Sequence, residues 1–169
     1  AQTANYNATK AFTVTPSSHY QIASVTGCGG SLVVNTYTTG AITGDCTVIA
    51  AFSMITHTIS ASTGGNGSIS PSGLVVNGDG ATDTFSLTPN TGYHIDTVTG
   101  VTGTCGGSLS GNTFTTAPIV GNCSVTANFA INTYTVTPSV PGGNGTLSPS
   151  TAQTANYNAT KAFTVTPSS

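Results

Sequence analysis

Apolar and polar side chains alternate in short runs along the whole chain. In the segment 46–52, for example, Val48, Ala50 and Phe52 would face one way and the residues between them the other. Alternation with a period of two is typical of a half-buried β-strand. The runs are rich in Val, Ile, Thr, Tyr and Phe, and clusters of Gly, Pro, Asn and Ser separate them, as expected for turns. The pattern therefore predicts many short strands joined by tight turns.

The inventory of residue types disfavours helices. The chain has no Glu and no Arg, and only two Lys, three Gln, one Met and five Leu, so the strong helix formers are nearly missing. Together with the alternating pattern, this predicts an all-β fold.

Formal charges are rare, which excludes several classes of function. Two Lys and four Asp are the charged residues, 4% of the chain, against roughly 25% in ordinary soluble domains. With a net charge of −2, the chain has no basic surface for nucleic acid or an anionic membrane. No apolar run approaches the roughly 20 residues that span a bilayer. We therefore expect neither a nucleic-acid partner nor membrane insertion.

Internal repetition organises the sequence. Residues 28–52 align without gaps on residues 105–129, with 15 of 25 positions identical. Further matches before and after these segments define modules of about 75 residues, which we call A and B. In addition, residues 1–18 recur without substitution as residues 152–169, a period of 151 residues. This period equals one A module plus one B module.

The two repeats predict the domain organisation. Residues 1–56 are the later part of a B module, residues 57–131 are a complete A module, and residues 132–169 are the opening of the next B module. Two interpretations follow: the sequence is a window from a longer tandem array, or incomplete modules complete each other between molecules by strand donation. Both predict that the chain's partners are copies of itself.

Four cysteines occupy matching positions in the two modules. Cys28 and Cys46 are 18 positions apart, as are Cys105 and Cys123. Pairing within each module repeats identically, so we expect the disulfides Cys28–Cys46 and Cys105–Cys123. Closing a loop of this size stabilises a small module by about 3 kcal/mol in the chain-entropy model. The spacing lacks the C-x-x-C pattern of zinc or haem sites, so no cofactor is expected, and disulfides indicate an oxidising, extracellular location.

The motifs of the A module resemble a known family. The runs HTISASTGGNGSISPSG, TFSLTPNTGYHIDTVTG and NTFTTAPIVGNCSVTANF, within residues 57–129, are similar to the divergent internalin-type B-repeat modules of bacterial surface and secreted proteins. His19 of module B departs from the motif, since it replaces Gly92. The resemblance implies a small β-rich, β-grasp-like module with a spacer, stalk or adhesive role and no catalysis.

One loop of the A module loosely matches a calcium-binding loop. Asn77, Asp79 and Asp83 offer oxygen atoms at short spacing. Module B has no carboxylate in the matching segment 155–161, and Asn-Gly and Asp-Gly pairs also form hairpin turns. A turn is therefore the simpler interpretation, with calcium as the alternative.

Two equivalent tyrosines, Tyr6 and Tyr157, are candidates for stacking against a sugar. Other aromatic residues recur at aligned positions of the two modules, which is typical of packing, so a structural role is the competing interpretation. The three His residues do not recur between modules, and we assign them to the polar surface. No nucleophile motif accompanies them, so we do not expect an enzyme.

These observations predict a structural protein. We expect a tandem array of disulfide-linked β modules that forms an extracellular bacterial filament or the stalk of a surface protein and that self-assembles end to end. The alternative is a carbohydrate-binding or surface-binding adhesin module.

Overall fold

A computed structural model describes residues 1–168. Ser169, the last residue of the second copy of the repeated segment, lies outside the described residues. Residues 1–168 contain strands, turns and loops but no helix, which confirms the predicted all-β fold. The nineteen strands are β1 (Ala11–Thr13), β2 (Tyr20–Thr26), β3 (Ser31–Val33), β4 (Thr36–Thr38), β5 (Ile49–Met54), β6 (Thr56–Thr63), β7 (Gly67–Ser70), β8 (Gly73–Gly78), β9 (Thr84–Pro89), β10 (Tyr93–Ile95), β11 (Val101–Gly103), β12 (Gly107–Ser110), β13 (Thr113–Thr116), β14 (Cys123–Ala127), β15 (Phe129–Ile131), β16 (Thr133–Val136), β17 (Gly145–Ser148), β18 (Gln153–Asn156) and β19 (Thr164–Pro167).

The chain divides into two compact units whose borders differ from those of the sequence modules. The first comprises residues 1–57, 76–81 and 118–121, and the second comprises residues 58–75, 82–117 and the chain from Asn122 onward. Two segments of the A module therefore belong to the first unit: residues 76–81, which include the end of β8, and residues 118–121. Main-chain hydrogen bonds join these segments, from Gly80 N–H to the Ile119 carbonyl (2.7 Å) and from Ile119 N–H to the Ala81 carbonyl (2.8 Å).

Two four-stranded sheets form most of the second unit, with the orders β11-β14-β6-β8 and β12-β13-β9-β7. Strand β14 pairs with β6 in parallel, with Cys123 opposite Ile59 and Val125 opposite Ala61. In the other sheet, β9 lies between β13 and β7 and is antiparallel to both. The core consists of inward-facing residues of both sheets, each at most 1% exposed: Ile59, Phe85, Leu87, Val125 and Ala127. Alternation along each strand places these side chains on one face, as the sequence predicts.

The first unit repeats part of this arrangement. Strands β1, β4 and β3 form a sheet in the same order as β9, β13 and β12 of the A module. Strand β2 pairs with β5 antiparallel, and a register shift lies between Ile22 and Ser24. In module A the corresponding chain is broken into β10 and β11, because residues 96–100 form a loop there.

The second copy of the repeated segment makes a different set of strand pairs from the first. Strand β18 pairs with β16, and β19 pairs with β17, both antiparallel. Residues 11–16 of the first copy correspond to β9, as do residues 162–167 of the second. One strand of identical sequence is thus paired on one side in the first copy and on the other side in the second.

Candidate functional site

Each module contains one disulfide, and the two disulfides lie at equivalent positions of the modules. Cys28 is bonded to Cys46 with 5.4 Å between their Cα atoms, and Cys105 is bonded to Cys123 with a Cα separation of 4.9 Å. All four cysteines are used, as their spacing predicts. Cys28 follows β2 and Cys105 follows β11, whereas Cys46 precedes β5 and Cys123 begins β14.

A main-chain link connects module B to module A within the first unit. The N–H of Ile55 donates to the carbonyl of His19 (2.9 Å), and the N–H of Asp79 donates to the carbonyl of Ile55 (2.9 Å). Residue 55 therefore forms the middle of a three-residue bridge.

The second unit contains the same link between module A and the next module B. The N–H of Asn132 donates to the carbonyl of Gly92 (2.8 Å), and the N–H of Tyr157 donates to the carbonyl of Asn132 (2.8 Å). His19 corresponds to Gly92, and Asp79 corresponds to Tyr157, in the alignment of the modules. Both links thus use equivalent main-chain atoms, although the side chains differ.

Side chains at the first link form a compact polar cluster. Asp79 accepts hydrogen bonds from two imidazoles, from His19 Nδ1 to Oδ2 (2.9 Å) and from His57 Nε2 to Oδ1 (2.7 Å). The carboxylate is 20% exposed, His57 is 15% exposed and His19 is 50% exposed. These hydrogen bonds, from His19 first and then His57, favour the ionised carboxyl and lower the pKa of Asp79 below its ordinary value of 3.8.

At the second link a tyrosine packs on a glycine. The ring of Tyr157 lies where a Cβ atom of Gly92 would stand. Gly92 has φ +84°, which favours glycine, and His19 adopts φ +67° at the equivalent position. His94 adds a side-chain hydrogen bond between its Nδ1 and Asn132 Oδ1 (2.8 Å).

The three residues of the calcium hypothesis have separate local partners. Both oxygens of Asp79 accept from imidazoles. Asn77 Oδ1 accepts from the N–H of Gly78 (2.9 Å), and Asp83 Oδ1 accepts from the N–H of Thr84 (2.8 Å). Within residues 1–168, no group of three or more His, Cys, Asp or Glu side chains is arranged to hold a metal ion.

The two candidate sugar-binding tyrosines have different environments. The side chain of Tyr6 is 77% exposed. Tyr157 is half-buried because its ring covers Gly92. Of the two equivalent residues, Tyr6 therefore offers the larger free ring surface.

A groove of about 1100 Å³ runs along the first unit. Its lining mixes polar and apolar residues and includes Val48, Ala50 and Phe52, for which the sequence pattern predicts a buried face. Their counterparts in module A are covered: Val125 is 1% exposed and Ala127 is 0% exposed, whereas Val48 is half-buried and Ala50 is exposed.

The residue types alone do not indicate the cluster around Asp79, because His19 and His57 each fit a position on the polar surface. The sequence does contain one indication of this cluster, a pair of substitutions between the two modules. Where module A has Gly92, module B has His19; where module B has Tyr157, module A has Asp79. Two substitutions at positions joined by the same link indicate that the residues meet.

The sheets, the disulfides and the repeated link together define a β-rich repeat module. A model of the divergent InlB B-repeat domain family matches residues 57–133. The match agrees with the family that the sequence motifs of the A module indicate. No curated protein and no solved structure matches the chain.

No helix within residues 1–168 has the length and apolar character needed to cross a membrane.

Proposed function

We propose that this chain is a structural repeat unit of an extracellular bacterial filament or of a surface-protein stalk, assembled end to end through its β modules. The observation that carries the proposal is the repeated link. Ile55 and Asn132 are held by the same pair of main-chain hydrogen bonds, in each case between one module and the next. A link that recurs with fixed geometry gives each module a set orientation to its neighbour, which is what a fibre requires.

The short connections between modules support the same role. Strand β5 ends at Met54 and β6 begins at Thr56, while β15 ends at Ile131 and β16 begins at Thr133. One residue separates the strands in each case, and that residue forms the link. Such a connection has none of the freedom of a Gly/Ser linker.

Composition supports association between copies. A chain in which only 4% of the residues are charged produces little like-charge repulsion, and the hydroxyls of Thr and Ser supply hydration. Disulfides and similarity to the B-repeat family favour an extracellular or cell-surface location. The role proposed is mechanical and includes no catalysis.

Electron microscopy of the native assembly tests this function. The proposal predicts filaments, or stalks on the cell surface, with an axial repeat that corresponds to one A module plus one B module. Antibodies raised against residues 57–131 should label them along their length. Monodisperse globular particles that carry the label would contradict the proposal.

The exposed ring of Tyr6 favours one alternative, an adhesin module that binds carbohydrate. Tyr6 is 77% exposed and borders the groove of the first unit. Glycan-array binding that is lost in Tyr6→Ala would support this alternative. The matched variant is Tyr157→Ala, which removes the equivalent, half-buried ring. An array with no bound glycan would exclude sugar binding of this kind.

A further inference from the structure

One sheet of the second unit has an outer face made of hydroxyl side chains. Its two central strands, β9 and β13, place alternate residues in the core and turn the others outward. The outward residues of β9 are Thr84, Ser86 and Thr88, and those of β13 are Thr113 and Thr115. Thr115 is half-buried and the other four are exposed. The centre of this face therefore presents only Ser and Thr to solvent.

The edge strands of the same sheet extend this face on both sides. In β12 the outward residues are Ser108 and Ser110, and in β7 they are Ser68 and Ser70. All four are exposed. We call the nine outward residues of the four strands the hydroxyl face. All nine lie within the complete A module.

The side chains of the hydroxyl face have no hydrogen-bond partners, in contrast to those of the other sheet. On the outer face of the other sheet, the hydroxyls of Ser62 and Thr126 are hydrogen-bonded to each other (3.1 Å), and Asn128 Nδ2 donates to Thr102 Oγ1 (3.2 Å). Among residues 1–168, none of the nine hydroxyls of the hydroxyl face takes part in such a bond. Their donors and acceptors are therefore available to a surface outside the module.

No formal charge lies on the sheet that carries the hydroxyl face. All six charged residues of the chain lie outside the nineteen strands. Soluble proteins commonly place charged residues, Lys above all, on exposed edge strands, where they prevent association with another sheet. The edge strands β7 and β12 consist of Gly, Ser and one apolar residue each. No charged side chain of this sheet would thus repel a second sheet.

We propose that the hydroxyl face is a lateral contact between two copies of this chain, which pack this face against each other in neighbouring filaments or stalks. This inference rests on the proposed function and names a partner surface for it. Each hydroxyl can both donate and accept a hydrogen bond, so the face is complementary to a copy of itself in an isologous pair. Because Ser and Thr are short, the two sheets can approach closely, and the Thr methyl groups lose their contact with water.

The small area of the hydroxyl face determines how such a contact acts. Four strands about 4.8 Å apart, each with four residues of about 3.3 Å, cover roughly 250 Å². A stable protein pair buries about 800 Å² on each partner. One face is therefore too small to hold two modules together by itself. In an array of modules the face recurs with each A module, so many weak contacts act together along the assembly.

Electron microscopy of purified native filaments or stalks at low salt tests the inference. We expect them to lie side by side in pairs or bundles. Ser86→Lys combined with Thr113→Lys places two charges directly opposite each other at the centre of the face. Like charges then meet across the contact, so the bundled fraction should fall at least about tenfold, while single assemblies still form. At about 1 M salt, where the Debye length is about 3 Å, bundling should return.

Thr97→Lys combined with Val98→Lys is the matched control. It adds the same charge to two exposed residues of a loop outside this sheet, so its bundling should equal that of the unmodified assembly. Ser68→Lys combined with Ser108→Lys charges the edge strands of the face instead, and it replaces the central pair if that pair fails to fold. Thermal unfolding of the 169-residue chain checks the folding of each double variant.

Unmodified assemblies that stay single at every salt concentration overturn the inference. Bundling that persists in the variants of the face, or that is lost equally in the control, also overturns it. Bundles that require an added polysaccharide would overturn the contact between copies and assign the face to a sugar polymer. The proposed function is judged separately: single filaments or stalks retain the function without the lateral contact, whereas the absence of both removes the function and this inference together.

Discussion

The ring of Tyr157 occupies the space into which a Cβ atom of Gly92 would project. At the other link, the larger and the smaller side chain occupy the opposite positions. His19 carries a ring at the position of Gly92, and Asp79 has a shorter side chain at the position of Tyr157. The two links share their main-chain hydrogen bonds but differ in this matched pair of side chains.

The contact between Gly92 and Tyr157 predicts a large effect for a single methyl group. Gly92→Ala introduces both a strained backbone, because φ is +84°, and an overlap with the tyrosine ring. We expect a loss of stability of about 1–3 kcal/mol from the overlap, added to the cost of the positive φ. Chemical denaturation of the variant measures the sum.

Gly73→Ala is the matched control, because Gly73 has φ +83° and nothing lies within 4 Å of its added Cβ. It should lose only the part due to the backbone. Tyr157→Ala combined with Gly92→Ala should recover the part due to the overlap. Equal losses in Gly92→Ala and Gly73→Ala would show that the ring does not matter.

The first link pairs His19 with Asp79, and the second pairs Gly92 with Tyr157. We predict that replacing one member of a pair by its counterpart from the other link destabilises the protein. Asp79→Tyr directs a second ring toward His19 and removes the carboxylate that holds two imidazoles. We expect a clear fall in the thermal unfolding midpoint. His19→Gly together with Asp79→Tyr recreates the pair found at the other link, so it should restore a large part of the loss.

Additive stability losses would contradict this prediction. If the double variant is as unstable as the sum of the single variants, the residues are not coupled. Coupling would also imply that neighbouring modules recognise their order, since a B module followed by another B module would place His19 against a tyrosine.

Asp79 predicts a dependence of stability on acidity. The hydrogen bonds from His19 and His57 lower its pKa below 3.8 in the folded state. A depressed carboxyl pKa contributes stability that is complete above the unfolded pKa and is lost as the pH falls through the folded pKa. Unfolding midpoints measured from neutral pH into acid should therefore decrease at the acid end.

Asp79→Asn should reduce this acid dependence and lower stability at neutral pH. Some dependence should persist, because N–H groups of Thr99 and Val98 also lower the pKa of Asp96. Asp45→Asn, at an exposed position, is the control and should follow the unmodified chain. An Asp79→Asn curve parallel to that of the unmodified chain would argue against the cluster.

Metal removal has a simple expected outcome. Asp79 Oδ1 and Oδ2 accept from imidazoles, and Asp83 Oδ1 accepts from the N–H of the next residue. We therefore expect no change in the thermal unfolding midpoint when EDTA replaces calcium. A midpoint that rises with added calcium would restore the loop as a calcium site.

Much of the fold follows from local pattern and repetition. The duplicated spacing of the cysteines predicts both disulfides, and alternation predicts short strands. The buried face expected of Val48, Ala50 and Phe52 is wrong, because β5 begins only at Ile49 and both Ala50 and Phe52 are exposed. The parallel pairing of β14 with β6 was beyond such reasoning. It joins residues more than 60 positions apart, and nothing in either strand specifies a parallel neighbour.

The side-chain cluster at the first link could not be predicted from the sequence either, for a different reason. His19, His57 and Asp79 come from separate parts of the sequence, and each alone is typical of a polar surface. The main-chain bridge through Ile55 brings His19 and Asp79 together. Comparing the two links position by position shows that their side chains are exchanged. This comparison is possible only when the structure has shown which positions each link joins.

Both disulfides bear on how such a chain would respond to a pulling force. Cys28 and Cys46 are 18 positions apart, as are Cys105 and Cys123. At about 3.3–3.6 Å per residue, each bond withholds roughly 60 Å of contour length when its module is pulled open. A stretched chain would thus lengthen in smaller steps when oxidised than when reduced, so the redox state of its surroundings sets how far it can extend.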